Sequence, residues 1–74
     1  MTHDRIHRDP NIMVGKPVIK GTRITVELLV RECAGGMSFA EIIEAYPRIT
    51  EADIRAALAY AADYLSREGL VAAE

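Results

Sequence analysis

The 74-residue chain has few of the residues from which small proteins build covalent or metal frameworks. It contains one cysteine and two histidines, so neither a disulfide network nor a zinc site of the usual composition is available. No apolar run approaches the roughly 18 residues of a membrane span, and the polar N-terminus lacks the apolar core of a signal peptide. We therefore expect one small cytoplasmic domain that makes no membrane contact.

Catalytic groupings are missing as well. Gly15-Lys16 resembles the end of a phosphate-binding loop, but that loop needs a glycine five residues earlier, where Pro10 stands. No Ser-His-Asp or Cys-His grouping is apparent. His3 and His7 would lie about 13 Å apart along a strand, which indicates a solvated N-terminus rather than a ligand pair. The sequence predicts a protein that is not an enzyme and that needs no cofactor, metal or small-molecule substrate.

The most informative pattern that is present covers residues 15–26 and reads G-K-P-V-I-K-G-T-R-I-T-V. Two glycines suit tight turns at positive φ, and a proline without an N–H group suits an edge strand. The pattern predicts a turn, a short strand, a second turn and a helix that is capped by Thr25. The residues assigned to the turns are Gly15, Pro17, Gly21 and Thr22.

The rest of the chain predicts a mainly α fold. Val26, Leu29, Val30 and Cys33 form one apolar stripe at helical spacing, and Ser38 with Glu41, then Thr50 with Asp53, resemble capping pairs. We expect strands at about 5–8 and 17–19, and helices at about 26–34, 39–45 and 51–68. The predicted fold of residues 1–74 is a single trihelical helix-turn-helix domain, homeodomain-like or winged-helix-like, with a short N-terminal β-hairpin.

Charge is distributed unevenly along the chain. Residues 1–31 carry six basic and three acidic residues, whereas residues 32–74 carry three basic and eight acidic residues. Only the first part suits phosphate, so DNA binding is assigned mainly there. The candidate DNA-binding residues are Arg5, Arg8, Lys16, Lys20, Arg23 and, on the third helix, Arg55. Two alternatives stay open: Lys16 and Lys20 can simply protect a strand edge, and Arg23 can tie its turn to Asp9 or to helix carbonyls.

The third helix carries more apolar surface than one small core needs. Ile54, Leu58, Ala61 and Leu65 cluster on one face, which Tyr60 and Tyr64 extend to one side. The two rings either cap the core edge or form a second interface, and tyrosine is favoured at interfaces. The residues assigned to a partner interface are Tyr60, Tyr64, Leu70 and Val71. We expect a homodimer.

The pattern of residues 15–26, together with several short motifs elsewhere, resembles a known family. The pattern of residues 15–26, with Asp9-Pro10, Gly36-Met37-Ser38, Tyr46-Pro47 and Leu58-Ala59-Tyr60, resembles the DUF433 family of small bacterial and archaeal domains. The resemblance implies a helix-turn-helix-like trihelical domain that is often an antitoxin beside a PIN-like nuclease toxin.

Two classes of function follow. The first is an antitoxin-like module of a type II toxin-antitoxin pair, which neutralises a PIN-like nuclease and can also bind its own promoter DNA. The second is a stand-alone DNA-binding regulator without a protein partner, for which a basic third helix would be expected. A purely structural dimer is a third, weaker option.

Overall fold

The computed structural model describes residues 3–67, which form two short strands followed by three helices. These elements are β1 (Ile6–His7), β2 (Val18–Ile19), α1 (Val26–Ala34), α2 (Phe39–Ala45) and α3 (Glu51–Arg67). The predicted fold class, a mainly α trihelical arrangement with an N-terminal β-hairpin, is confirmed. Residue 68, at which the third helix was expected to end, lies outside the described residues.

The hairpin is shorter than the predicted strands at 5–8 and 17–19. β1 and β2 pair antiparallel, with Ile6 opposite Ile19 and His7 opposite Val18. Pro17 has no N–H group to give to the ladder. Its carbonyl accepts a hydrogen bond from the N–H of Val26 (2.9 Å), so the strand pairing ends where the chain meets the start of α1.

Two glycines form the turns that the sequence predicts. Gly15 and Gly21 have φ angles of +82° and +81°, a region in which a Cβ atom is strained. After Gly21, the Thr22 hydroxyl donates to the carbonyl of Ile19 (2.8 Å) and accepts from the N–H of Ile24 (3.0 Å). Thr22 therefore closes the turn that leads from β2 towards α1.

The loop between the strands holds two further residues in the left-handed region, Met13 (φ 50°) and Val14 (φ 56°). The sequence pattern does not predict this conformation, because β-branched residues avoid it. The N–H groups of Gly15 and Lys16 donate to the carbonyls of Ile12 and Met13, each at 3.1 Å. These backbone hydrogen bonds hold the turn in its strained form.

The first two helices begin at side-chain caps. Thr25 Oγ1 accepts the N–H of Leu28 (2.9 Å) at the start of α1. At α2, Ser38 Oγ accepts the N–H of Glu41 (3.1 Å), and the Glu41 carboxylate accepts the N–H of Ser38 (2.8 Å). Caps of this kind contribute about 1 kcal/mol each, because they satisfy N–H groups that have no partner inside the helix.

α3 begins with a reciprocal cap that also reaches the hairpin. Thr50 Oγ1 accepts the N–H of Asp53 (3.2 Å), and Asp53 Oδ2 accepts the N–H of Thr50 (3.0 Å). The other oxygen of Asp53 accepts a hydrogen bond from Arg5 Nη1 (3.1 Å). Asp53 is 6% exposed, and a carboxylate this buried requires such partners. One side chain therefore fixes both the start of α3 and the residue before β1.

The core lies between the helices and β2, and α3 packs chiefly on α1. Its buried apolar side chains are Val18, Ile19, Val26, Leu29, Ile42, Ile49, Ile54 and Ala57. At its edge the Tyr46 hydroxyl donates to a Glu32 carboxylate oxygen (3.1 Å). This hydrogen bond, with burial, raises the pKa of Tyr46 because both favour the neutral phenol. Within residues 3–67, no helix combines the length and apolarity that crossing a bilayer requires.

Candidate functional site

An apolar groove with a volume of about 420 Å³ runs between α1 and α3. Its apolar lining consists of Pro17, Val26, Val30 and Ala34 on one side and Tyr60, Ala61, Tyr64 and Leu65 on the other. The first wall combines Pro17, which precedes β2, with residues of α1, and the second is the C-terminal half of α3. The groove lies beside the closed core and is open to solvent in the described part of the chain.

Two tyrosines form much of the α3 wall. The rings of Tyr60 and Tyr64 stack with centroids 6.4 Å apart and planes 8° apart. His3 packs edge-on against Tyr60, with a centroid distance of 5.1 Å, and its Nε2 lies 3.0 Å from Asp63 Oδ2. Tyr64 is 48% exposed and Leu65 is 51% exposed. Tyr60 is therefore packed against His3, whereas Tyr64 and Leu65 expose apolar surface to solvent.

The prediction of a solvated N-terminus is wrong for His3, whose side chain is only 14% exposed. Its partner Asp63 lies 60 residues later in the chain, and no local pattern indicates a contact at that distance. His7 is exposed in β1. Among residues 3–67, no group of three or more His, Cys, Asp or Glu side chains could hold a metal ion.

The groove has a charged rim where α1 begins. The Glu27 carboxylate accepts hydrogen bonds from Lys16 Nζ and from Arg31 Nε, both at 3.2 Å. Both hydrogen bonds lower the pKa of Glu27, and the one from Lys16 has the larger effect. The carboxylate therefore stays ionised well below neutral pH. All three side chains are exposed, and exposed pairs add little stability. The rim therefore carries charges that a partner can engage without disturbing the fold.

Of the four residues assigned to a partner interface, Tyr60 and Tyr64 line this groove. Leu70 and Val71 lie outside the described residues. The α1 wall, with Val26 and Val30, was predicted only as a core stripe. Helical periodicity identifies an apolar face but does not tell whether that face is covered inside the chain, and so it could not assign α1 to the groove.

The six residues assigned to DNA binding differ in the partners of their side chains. Three of them pair with carboxylates: Arg5 with Asp53, Lys16 with Glu27, and Arg55 with Glu51. Arg8 donates to the carbonyl of Gly15 at 3.4 Å. Lys20 and Arg23 are exposed and make no side-chain hydrogen bond within residues 3–67. Of these six residues, Arg8, Lys20 and Arg23 have no carboxylate partner within residues 3–67, and they lie in the hairpin region and the turn that follows it.

The sequence offered a contact of Arg23 with Asp9 or with helix carbonyls as one alternative. The structure shows neither contact among the residues that it describes. Asp9 Oδ1 accepts the N–H of Asn11 instead (2.8 Å). The guanidinium that reaches this turn belongs to Arg48, from the connection between α2 and α3, and its Nη2 donates to the carbonyl of Gly21 (3.2 Å). Arg23 and Arg48 line one depression. Sequence reasoning missed Arg48, because it lies 27 residues from Gly21.

Three helices, with a short connection between α2 and α3, define a helix-turn-helix-like trihelical domain. The family model described as "Protein of unknown function (DUF433)" matches residues 6–61. The chain belongs to this family, and the resemblance drawn from residues 15–26 is confirmed.

The chain is similar to two proteins for which no role is stated. The chain is 38% identical over 52 residues to "Uncharacterized protein y4eO" of Sinorhizobium fredii, and the match covers 70% of this chain and 24% of that protein. A crystal structure of a DUF433 member protein from Anabaena variabilis has a TM-score of 0.79 and 28% identity, and the match covers 95% of this chain and 69% of that one. The chain thus spans about a quarter of the length of the curated relative that it matches.

Proposed function

We propose that this chain is a protein-interaction module of the antitoxin type, which uses the groove between α1 and α3 to bind a PIN-like nuclease. The observation that carries the proposal is the groove itself, with Tyr64 and Leu65 each about half exposed. Membership of the DUF433 family supplies the class of partner, through the antitoxin role that the family resemblance implies.

The groove has the composition of a protein-binding surface. Stable interfaces combine an apolar centre, often with aromatic anchors, and a polar rim that is solvated. Tyr60 and Tyr64 provide the anchors, and Glu27 with Arg31 provides the rim. The partner would insert an apolar side chain between the helices and place charges of opposite sign against the rim.

The acidic second part of the chain supports a nuclease as the partner. Residues 32–74 carry eight acidic and three basic residues. A nuclease needs positive charge around its active site to attract RNA, and an acidic module complements that charge. Binding there would block access of the substrate without any catalytic residue in this chain.

The alternative, a stand-alone regulator that reads DNA with α3, is less well supported. In a helix-turn-helix the start of the second helix enters the major groove. Here Arg55 Nη2 lies 2.8 Å from Glu51 Oε2, and the guanidinium of Arg55 stacks 5.4 Å from the ring centroid of Phe39. The side chain best placed to read a base is therefore already paired, and Glu51 would repel phosphate.

Coexpression with a PIN-like nuclease from the same operon tests the proposal. The parent chain is expected to restore growth and to copurify with the nuclease. Leu65→Glu is expected to abolish both, because it buries a charge in the contact. Ala62→Glu is the matched control, since Ala62 is exposed on α3 and does not line the groove.

Both variants should keep the circular dichroism spectrum of the parent chain, because residues 62 and 65 are exposed. Full neutralisation by Leu65→Glu would exclude the groove as the contact. If the operon encodes no toxic nuclease, the regulator becomes the better interpretation.

A further inference from the structure

A second concave surface, with a volume of about 610 Å³, lies beside the Gly21 turn. Its lining consists of Ile12, Gly21, Thr22, Arg23, Ile24 and Arg48. Two of these six residues are arginines and none is acidic. The depression is therefore a concentration of positive charge, formed by the turn before α1 and the connection between α2 and α3.

The fold positions Arg48 without neutralising it. Its Nη2 donates to the carbonyl of Gly21 at 3.2 Å, and a carbonyl carries no net charge to offset the guanidinium. An arginine has five N–H donors, so this bond leaves most of them available. Gly21 itself has a φ angle of +81°, so the residue that forms the turn also supplies the carbonyl that binds Arg48. The guanidinium is thus oriented before any ligand arrives.

Arg23 and Arg48 differ from the arginines of the described chain that pair with carboxylates; Arg8, which also lacks a carboxylate partner, donates to the carbonyl of Gly15. Arg5, Arg31 and Arg55 each pair with a carboxylate, at 3.1, 3.1 and 2.8 Å. Arg23 and Arg48 have no carboxylate partner within residues 3–67, and they share one depression. Two like charges brought together are stabilised by an anion between them, and the guanidinium geometry matches the oxygens of a phosphate.

We propose that this depression binds a backbone phosphate of a nucleic acid, with Arg23 and Arg48 as the donors. An open surface site suits a polymer better than a small molecule, which is usually enclosed in a pocket. Exposed Lys20 adjoins the same turn and can meet a neighbouring phosphate. The contact thus lies at the turns that flank α1 and α3 and does not use Arg55. This site is independent of the protein partner proposed above.

Fluorescence anisotropy with a labelled random-sequence DNA duplex, measured over a range of salt concentrations, tests the proposal. The double variant Arg23→Gln, Arg48→Gln is expected to bind about tenfold or more weakly at low salt. Its slope of log affinity against log salt should fall by about two, since two phosphate contacts are lost. Arg48→Lys should keep most of the slope, because the charge remains.

The matched control is the double variant Arg31→Gln, Arg55→Gln, which removes the same charge from arginines that already have carboxylate partners. It should bind within about twofold of the parent chain, because neither side chain lines the depression. Circular dichroism melting of all variants shows whether loss of the Arg48 bond to Gly21 affects the fold.

Three results would overturn the proposal. The parent chain could fail to bind duplex DNA at low salt. The control could lose as much affinity as the double variant, which would mean that only net charge matters. In the third, inorganic phosphate or a mononucleotide, added at millimolar concentration, could shift the NMR signals of Arg23 and Arg48 while the duplex does not. The site would then bind a small phosphate ligand instead of a nucleic acid.

Discussion

The two halves of α3 have different surroundings, although they belong to one continuous helix. In the first half Asp53, Ile54 and Ala57 are buried, and the reciprocal cap with Thr50 fixes the start of the helix. In the second half Tyr64 and Leu65 are about half exposed along an apolar groove. The same helix therefore stabilises the domain at one end and leaves an apolar surface exposed at the other.

This difference shows what helical periodicity does and does not record. Ile54, Leu58, Ala61 and Leu65 follow one apolar spacing along the whole helix. Only the first part of that face closes against α1 and α2. A pattern that continues beyond the core of its own chain indicates surface that another molecule can cover.

The largest expected difference between the halves is in core packing. Ile54→Ala should lower the free energy of unfolding by about 2–4 kcal/mol, because the fully buried side chain would leave a cavity. Leu65→Ala should cost less than about 1 kcal/mol, since that side chain is already half in solvent. Urea titration of both variants measures the difference. Equal losses would contradict the division of α3 into a buried first half and a second half that is exposed along the groove.

The second difference is in the charges of the first turn. Asp53→Ala should lower the free energy of unfolding by about 1–3 kcal/mol, because it removes the cap on Thr50 and leaves Arg5 without its partner. Glu51→Ala is the control two residues earlier and should change it by less than about 0.5 kcal/mol, since Glu51 is exposed. Thermal melting of the two variants tests this. A larger loss for Glu51→Ala would refute the assignment.

The exposed second half of α3 should affect the oligomeric state of the free chain. We expect a homodimer at micromolar concentration, because two copies can cover each other's groove when no partner is present. Leu65→Glu should weaken the dimer by tenfold or more, about 1.4 kcal/mol or above, whereas Ala62→Glu should not. Light scattering reports the mass of each. A monomeric parent chain would show that the groove does not bind a second copy.

The smallest effect concerns the residue that holds Tyr60 in place. His3→Ala should lower the free energy of unfolding by about 0.5–1 kcal/mol, because it removes an edge-on ring contact and the bond to Asp63. His7→Ala is the matched control, since His7 is exposed in the adjacent strand. Chemical denaturation of both compares them. Indistinguishable variants would mean that His3 does not support the second half of α3.

Features that depend on neighbours in sequence could be predicted, and features that depend on distant contacts could not. The caps at Thr25 and Ser38 join residues three apart, so residue type and spacing specify them. The bonds of Arg5 to Asp53 and of Arg48 to Gly21 span 48 and 27 residues. Only the folded chain brings those groups together, which is why Arg5 was assigned to DNA binding without its carboxylate partner and Arg48 was overlooked.

The position of Asp53 also has a consequence for how the domain opens. Its two carboxylate oxygens join the first turn of α3 to the residue before β1, so unwinding of that turn also breaks the contact with the hairpin. Helix ends usually fray independently of the rest of a protein. Here the amide hydrogens of Thr50 and Asp53, which the cap engages, should be more protected from exchange than those of an isolated helix end. A single carboxylate thereby couples fraying of the helix end to release of the hairpin.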